Sequence, residues 1–308
     1  VPSWLLKSAV QRAISLLPAS SKWNEFFQTY VTRSLDLTPE RFDARLEYCG
    51  RHLRNFLELQ PENATGFSVF ELGTGWYPVV PVGLFLCGAG KSWTVDIAPL
   101  LESKRVTAML WKFVEYGASG ALIKYLPRVI PRRLEILRGL AEKGGEPEQL
   151  LREMEIEFRV VDAQNTGLPA SAIDLFTSTG VLEYIPRTVL RNILLEAKRV
   201  GKDRAVQSHY LNLVDQFSYF DNSITPFNFL KFSNRAWSYL NSPIIWQNRL
   251  RITDFRALFV EAGYRMVKEE NTTGRAEDLA KVKLAPEFAG YRREDLLVIL
   301  SWVVASHQ

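Results

Sequence analysis

Phe67-Ser-Val-Phe-Glu71-Leu-Gly73-Thr-Gly75-Trp76 is an apolar run that carries into a turn with two glycines. That is the pattern of a buried strand ending in a tight loop. Gly73 and Gly75 lack a Cβ, so the backbone there can turn sharply and come close to a ligand. A second short strand, Ser92-Trp-Thr-Val-Asp96, ends in an acid about twenty residues further on. This is the spacing at which a carboxylate reaches a ribose in doubly wound α/β proteins.

Outward from this point strands and helices alternate. Strand patterns fall at 67–72, 92–96, 157–161, 173–178, 204–208, 264–270 and 296–304. Helical patterns fall at 80–87, 187–199 and 254–262. They predict an α/β fold: a doubly wound, mainly parallel seven-stranded sheet with an antiparallel last strand. The route from the second to the third strand is longer than a crossover needs, which places helical insertions at about 101–155. A second insertion, at about 209–251, is rich in aromatic residues. Upstream, residues 1–60 carry helical periodicity without a strand signal, with Pro18 as a breaker and helices expected at 22–32 and 39–57. The expected organisation is a helical cap or lid over 1–60, followed by the sheet domain over 61–308.

Composition bounds the function classes. The 308 residues are 47% hydrophobic and 23% charged, which is globular rather than disordered. A net charge of +4 allows an acidic partner but falls short of a nucleic-acid signature. Cys49 and Cys87 stand alone, with neither metal spacing nor a disulfide framework, so no metal and a reducing, cytoplasmic compartment are expected. No apolar run reaches the roughly 20 residues that span a bilayer. Trp4, Leu5, Leu6 and Lys7 suit either a peripheral membrane surface or packing as a lid, and the lid is the simpler account. Nothing in the sequence sets an oligomeric state.

On ELGTG at 71–75, Asp96, VVDAQNTGLP at 160–169 and IDLFTSTGVLEYIP at 173–186, the chain resembles the Rossmann-like (class I) S-adenosylmethionine-dependent methyltransferases. The resemblance covers roughly residues 67–305. The aromatic insertion at 209–251 is similar to the helical acceptor cap of bacterial small-molecule members. It implies S-adenosyl-L-methionine as cofactor and a small-molecule acceptor. By motif position, Glu71, Gly73, Thr74 and Gly75 would hold the cofactor's amino-acid part, and Asp96 its ribose. Asp162 and Ala163 would contact the adenine, and Thr179 to Tyr184 would flank the sulfonium and the acceptor. Where many relatives have a third glycine this chain has Trp76-Tyr77-Pro78, which would stiffen the loop and set an aromatic wall beside the cofactor.

Each candidate also has a structural reading. Asp96 and Asp162 can be strand-end carboxylates that cap the next turn. Glu71 can be a turn acid. His209 follows the expected fifth strand at the ligand-binding edge, where an imidazole can act as general base, or simply bond to loop backbone. Asp215 can orient His209 or cap an inserted helix. Arg249 and Arg251 can fork onto an acceptor anion or pair within the chain. The leading expectation is O- or N-methylation by in-line displacement, with His209, Asp215 and Tyr184 on the catalytic side. The alternatives are an enzyme that cyclises the cofactor itself, and a non-catalytic binding domain of the same fold.

Overall fold

A computed structural model describes residues 4–8, 12, 36–241 and 246–307. The expected helix at 22–32 and most of the first helical segment lie outside the described residues. The strands are β1 (Val69–Leu72), β2 (Ser92–Asp96), β3 (Ile156–Val160), β4 (Ile173–Thr179), β5 (Gly201–Asn212), β6 (Tyr264–Thr273) and β7 (Val298–His307). They form one sheet in the order β3-β2-β1-β4-β5-β7-β6. The first five run parallel, and β7 enters antiparallel between β5 and β6. The strand order turns back at β1 and β4, so a crevice opens there at the carboxyl ends of the strands.

Side chains alternate across the sheet, and the two faces collect separate cores. Val69, Leu175 and Val206 face one layer. That layer holds α1 (Pro39–Leu59), α2 (Val79–Leu86), α3 (Ser103–Ala118), α4 (Pro131–Lys143) and α5 (Pro147–Arg152). Phe70, Val95 and Phe176 face the other layer, where α6 (Arg187–Val200) packs. The neighbouring α8 (Ile252–Glu261) covers β5 and β7 on that side through Phe255 and Phe259. α1 begins where Thr38 caps it, its hydroxyl accepting from Arg41 N, with Pro39 in the first turn. Its stripe of Phe42, Leu46, Cys49, Leu53 and Phe56 is fully buried against α2 and the sheet. Each such Leu or Phe contributes about 1.5–3 kcal/mol.

The insertions differ from expectation in one respect. Besides the segment after β5, with its short helix α7 (Asn234–Leu240), the β6–β7 connection carries α9 (Ala276–Ala280) and α10 (Arg293–Leu297). The two insertions share a satellite core of Phe227, Phe229, Leu230, Trp237, Phe288 and Leu296. Trp4 joins it, packing on Phe217 and Phe232 while its backbone N–H donates to Asp221 Oδ2 at 3.0 Å. Among the described residues no helix is long and apolar enough to cross a membrane.

Candidate cofactor and active site

The glycine turn between β1 and α2 is built by the strands beneath it. Gly73 N and Thr74 N both donate to Val95 O, at 2.8 and 3.2 Å. The chain then passes through positive φ at Gly73 (86°) and Gly75 (61°). A Cβ on Gly73 would stand 2.5 Å from Val181 Cγ2, whereas one on Gly75 would meet nothing within 4 Å. Gly73 therefore lets the β4 loop close against β1, and Gly75 leaves bare backbone facing open space. Gly75 N donates to Asp96 Oδ2 at 2.9 Å, which ties the turn to the end of β2.

Behind the turn lies a buried polar chain. Thr94 donates to Glu71 Oε2 at 2.6 Å, so Thr74, also at 2.6 Å, donates to Thr94. Burial pushes the Glu71 carboxyl up to about 8. Arg45, from α1, stands near enough to favour its ionised form, and burial in turn weakens the Arg45 guanidinium's hold on its proton.

A cavity of about 800 Å³ opens above these groups. Gly73, Thr74, Gly75 and Arg45 form its wall at β1, and Asp96 and Ile97 form it at β2. Val161, Asp162 and Ala163 line it at β3, and Thr179, Gly180 and Tyr184 at β4. Ile97 is 86% exposed, an apolar side chain left at the rim without a partner surface. Asp162 accepts from Gln164 N and Gln164 Nε2, both at 2.9 Å, so it caps its own turn while facing the cavity mouth. Seven of the eight cofactor candidates thus meet in one space, and Glu71 lies sealed beneath it. Tyr184 also lines it, its phenol pushed up by burial and then by the Glu183 carboxyl. The expected aromatic wall is absent from the cavity. Trp76 instead packs on the core layer beneath the Arg105 guanidinium, 4.5 Å away.

His209 is a correction. β5 does not stop at 208 but runs to Asn212, so His209 is a strand residue turned into the α6–α8 layer. Its Nδ1 bonds Ser178 Oγ at 2.8 Å and its Nε2 bonds Gln207 Oε1 at 2.9 Å. Phe259 packs on the ring at 5.5 Å, and burial lowers its pKa to about 3. With both nitrogens engaged, it has no lone pair to offer a substrate. Asp215 does not orient it. That buried carboxylate caps the turn Gln216–Tyr219, accepting from Phe217 N at 2.9 Å, and from Asn228 Nδ2 at 3.0 Å. Arg249 donates to Phe229 O and Asn234 Oδ1, and Arg251 to Leu213 O and Leu296 O. Both clamp the insertions rather than a ligand.

Two residues of α1 at the site, Arg45 on the cavity wall and His52 behind Thr179, escaped the sequence reading. His52 of α1 bonds Ser208 Oγ through Nδ1 at 2.9 Å and Thr179 Oγ1 through Nε2 at 3.0 Å. It is the histidine that touches the cavity wall, by way of Thr179. Glu183 is buried, its Oε2 has no hydrogen-bond partner among the described residues, and burial pushes its pKa up to about 8. The "LEY" of the β4 block carried that signal only as composition.

No protein-family model matches the chain. No curated protein matches it. Among solved structures, a magnesium protoporphyrin IX methyltransferase from Synechocystis PCC 6803 with bound S-adenosylhomocysteine is similar at 12% identity. It aligns over 98% of this chain and 99% of its own, at a TM-score of 0.46. A geranyl diphosphate methyltransferase bound to geranyl diphosphate and sinefungin aligns over 84% of this chain and 77% of its own. Its identity is 9% and its TM-score 0.48. The cyclase SpnF aligns over 83% and 80%, at 13% identity and a TM-score of 0.42. The strand order observed here, with β7 antiparallel between β5 and β6, is the doubly wound, mainly parallel seven-stranded sheet with an antiparallel last strand expected from the sequence.

Proposed function

We propose that the protein binds S-adenosylmethionine in this cavity and transfers its methyl group to a small-molecule acceptor. One observation carries the reading. The glycine turn, Asp96, Asp162 with Ala163, and Thr179 come from the carboxyl ends of four adjacent parallel strands and line a single cavity.

The residues fit the group in kind. Gly75 leaves a gap that a Cβ would fill, so backbone can meet the ligand closely. Asp96 offers carboxylate lone pairs to a diol. Ile97 and Val161 offer apolar surface to a flat base, with Asp162 beside them as hydrogen-bond acceptor. Bound S-adenosylmethionine supplies a methyl carbon activated by the adjoining sulfonium. The protein's part is to align an acceptor atom with that carbon and keep water out. Thr179, Gly180 and Tyr184 stand on the acceptor side of that arrangement. Thr179 is held there by His52.

The test is calorimetry with S-adenosylhomocysteine on the parent and on Asp96→Ala. Binding by the parent and a loss of about 1–3 kcal/mol in the variant are expected. Tight binding of NAD with none of S-adenosylhomocysteine would overturn the reading. Incubation with S-adenosylmethionine alone, followed by mass analysis, separates methyl transfer from cyclisation of the cofactor, which would consume it without an acceptor.

A further inference from the structure

Glu183 is a carboxyl in want of a cation. It is 1% exposed, and its Oε2 has no hydrogen-bond partner among the described residues. The other enclosed carboxyls show how this fold normally treats the group. Glu71 accepts from Thr94, Glu196 from Thr166 and Arg199, and Asp215 from Phe217 N and Asn228. Burial pushes the Glu183 pKa up to about 8, opposed only by the backbone N–H groups of Glu183 itself and of Asn212. No cationic side chain among the described residues offsets that burial. A carboxylate enclosed in this way is costly until a cation pairs with it.

The carboxyl lies directly behind the cavity wall. Gly180 lines the cavity, and a Cβ added to it would have Glu183 Oε1 at 3.5 Å as its one neighbour within 4 Å. Tyr184 lines the same space. Tyr184, Tyr210 and Tyr219 all stand near the charge: burial comes first in raising these three phenols, and the Glu183 carboxyl raises each further. None of them donates to Oε2. Tyr210 in turn stacks on Tyr48 of α1, with ring centroids 4.7 Å apart. Aromatic rings gathered beside a carboxylate suit a cation, which is drawn by ring faces and by charge together. A neutral alcohol brings no charge to either. Resting on the S-adenosylmethionine reading above, we infer that the acceptor is an amine and that Glu183 binds its ammonium through Oε2. By taking one proton from that ammonium, the carboxylate leaves a neutral amine with its lone pair free.

Calorimetry on the full chain with two probes tests the role of Glu183. One is S-adenosylhomocysteine, and the other is sinefungin, which carries an ammonium where S-adenosylmethionine has its methyl-bearing sulfonium. In Glu183→Gln the affinity for sinefungin should fall about 10- to 100-fold, the loss of a charged hydrogen-bonded pair. The affinity for S-adenosylhomocysteine should stay within about threefold, the scatter of near-neutral changes, which also shows the variant folded. Parallel loss of both probes would make Glu183 merely structural and overturn the inference. So would unchanged sinefungin affinity. Ligand-observed NMR on protein saturated with S-adenosylhomocysteine then compares benzylamine with benzyl alcohol, two fragments of matched size. Benzylamine should bind with a Kd on the order of 1 mM and the alcohol more weakly, and Glu183→Gln should remove the difference. Equal binding of the two by the parent, or binding of neither, would overturn the amine class. If the parent binds neither S-adenosylhomocysteine nor sinefungin, the cofactor reading itself fails and the inference falls with it.

Discussion

Alanine at Gly73 and alanine at Gly75 should do different damage, although the two glycines share one loop. At Gly73 the residue must hold φ of 86°. For an L-residue the left-handed region costs about 1 kcal/mol. Its Cβ would also lie 2.5 Å from Val181 Cγ2 and 3.1 Å from Cγ1, an overpacking of about 1–3 kcal/mol. Gly73→Ala should therefore lose about 2–4 kcal/mol of stability, the sum of the two terms. Adding Val181→Ala removes the clash but not the backbone strain, so the double variant should recover all but about 1 kcal/mol of it. At Gly75 nothing stands within 4 Å of an added Cβ and φ is 61°, so only the strain term applies. The new methyl group would instead stand in the space proposed for the cofactor. Gly75→Ala should lose only about 1 kcal/mol in urea unfolding, yet bind S-adenosylhomocysteine more than about tenfold less tightly in calorimetry. Equal stability losses for the two alanines, or no recovery on adding Val181→Ala, would refute this account of the loop.

Asp96→Asn should weaken S-adenosylhomocysteine binding about 10- to 100-fold, because the charged acceptor is lost while the size is kept; unchanged affinity would remove Asp96 from the ribose site. His209→Ala should cost about 1–3 kcal/mol in urea unfolding by stranding Ser178 and Gln207, with cofactor affinity within about twofold; undiminished stability would contradict the sealed geometry. Stability should also depend on pH in two opposed ways. His52 and His209, lowered to about 3 by burial from an ordinary 6.5, take up protons only when unfolded, so their contribution is lost as pH falls below 6.5. Glu71 and Glu183, raised to about 8 from 4.5, keep protons that the unfolded chain releases, so stability is lost as pH rises from 4.5 to 8. Between 4.5 and 6.5 the pairs offset one another, and above 6.5 the acids act alone, at up to about 1.4 kcal/mol per pH unit each. Urea midpoints at pH 6.5, 7.2 and 8 should show Glu183→Gln declining about half as steeply as the parent, and parallel slopes would rule Glu183 out.

What the sequence disclosed was local. Gly73, Gly75 and Asp96 were legible because a strand, a turn that needs positive φ and a strand-end acid are each written within a few consecutive residues. His209 misled because the end of β5 is set by its partners. Tyr210 pairs with Thr179 on one side and Trp302 on the other, so the strand continues four residues past 208. A residue expected at the ligand edge thus became a residue of the core. Arg45 and His52 were invisible for a related reason. They sit on α1 near the apolar stripe of Leu46, Cys49 and Leu53, and helical spacing cannot tell a polar residue facing water from one facing a cavity. The insertion between β6 and β7 was missed because its core partners, Phe227 and Trp237, come from another segment.

The seating of α1 also sets an order of assembly. Its apolar stripe can lie against α2 as soon as residues near 86 are made. Its polar attachments must wait. Asn55 bonds Ser208 and Gln60 bonds Arg204, partners 153 and 144 residues away, and Glu58 meets Lys268 across 210. At about 5–20 residues per second, ribosomal synthesis leaves roughly 8–30 seconds between the helix and the strand that receives it. Until Ser208 is made, Asn55 and His52 lack that partner, and Thr179 follows His52 only after 127 residues. The cavity wall at Thr179 is therefore finished late, by contacts of long sequence separation that also slow refolding of the whole chain.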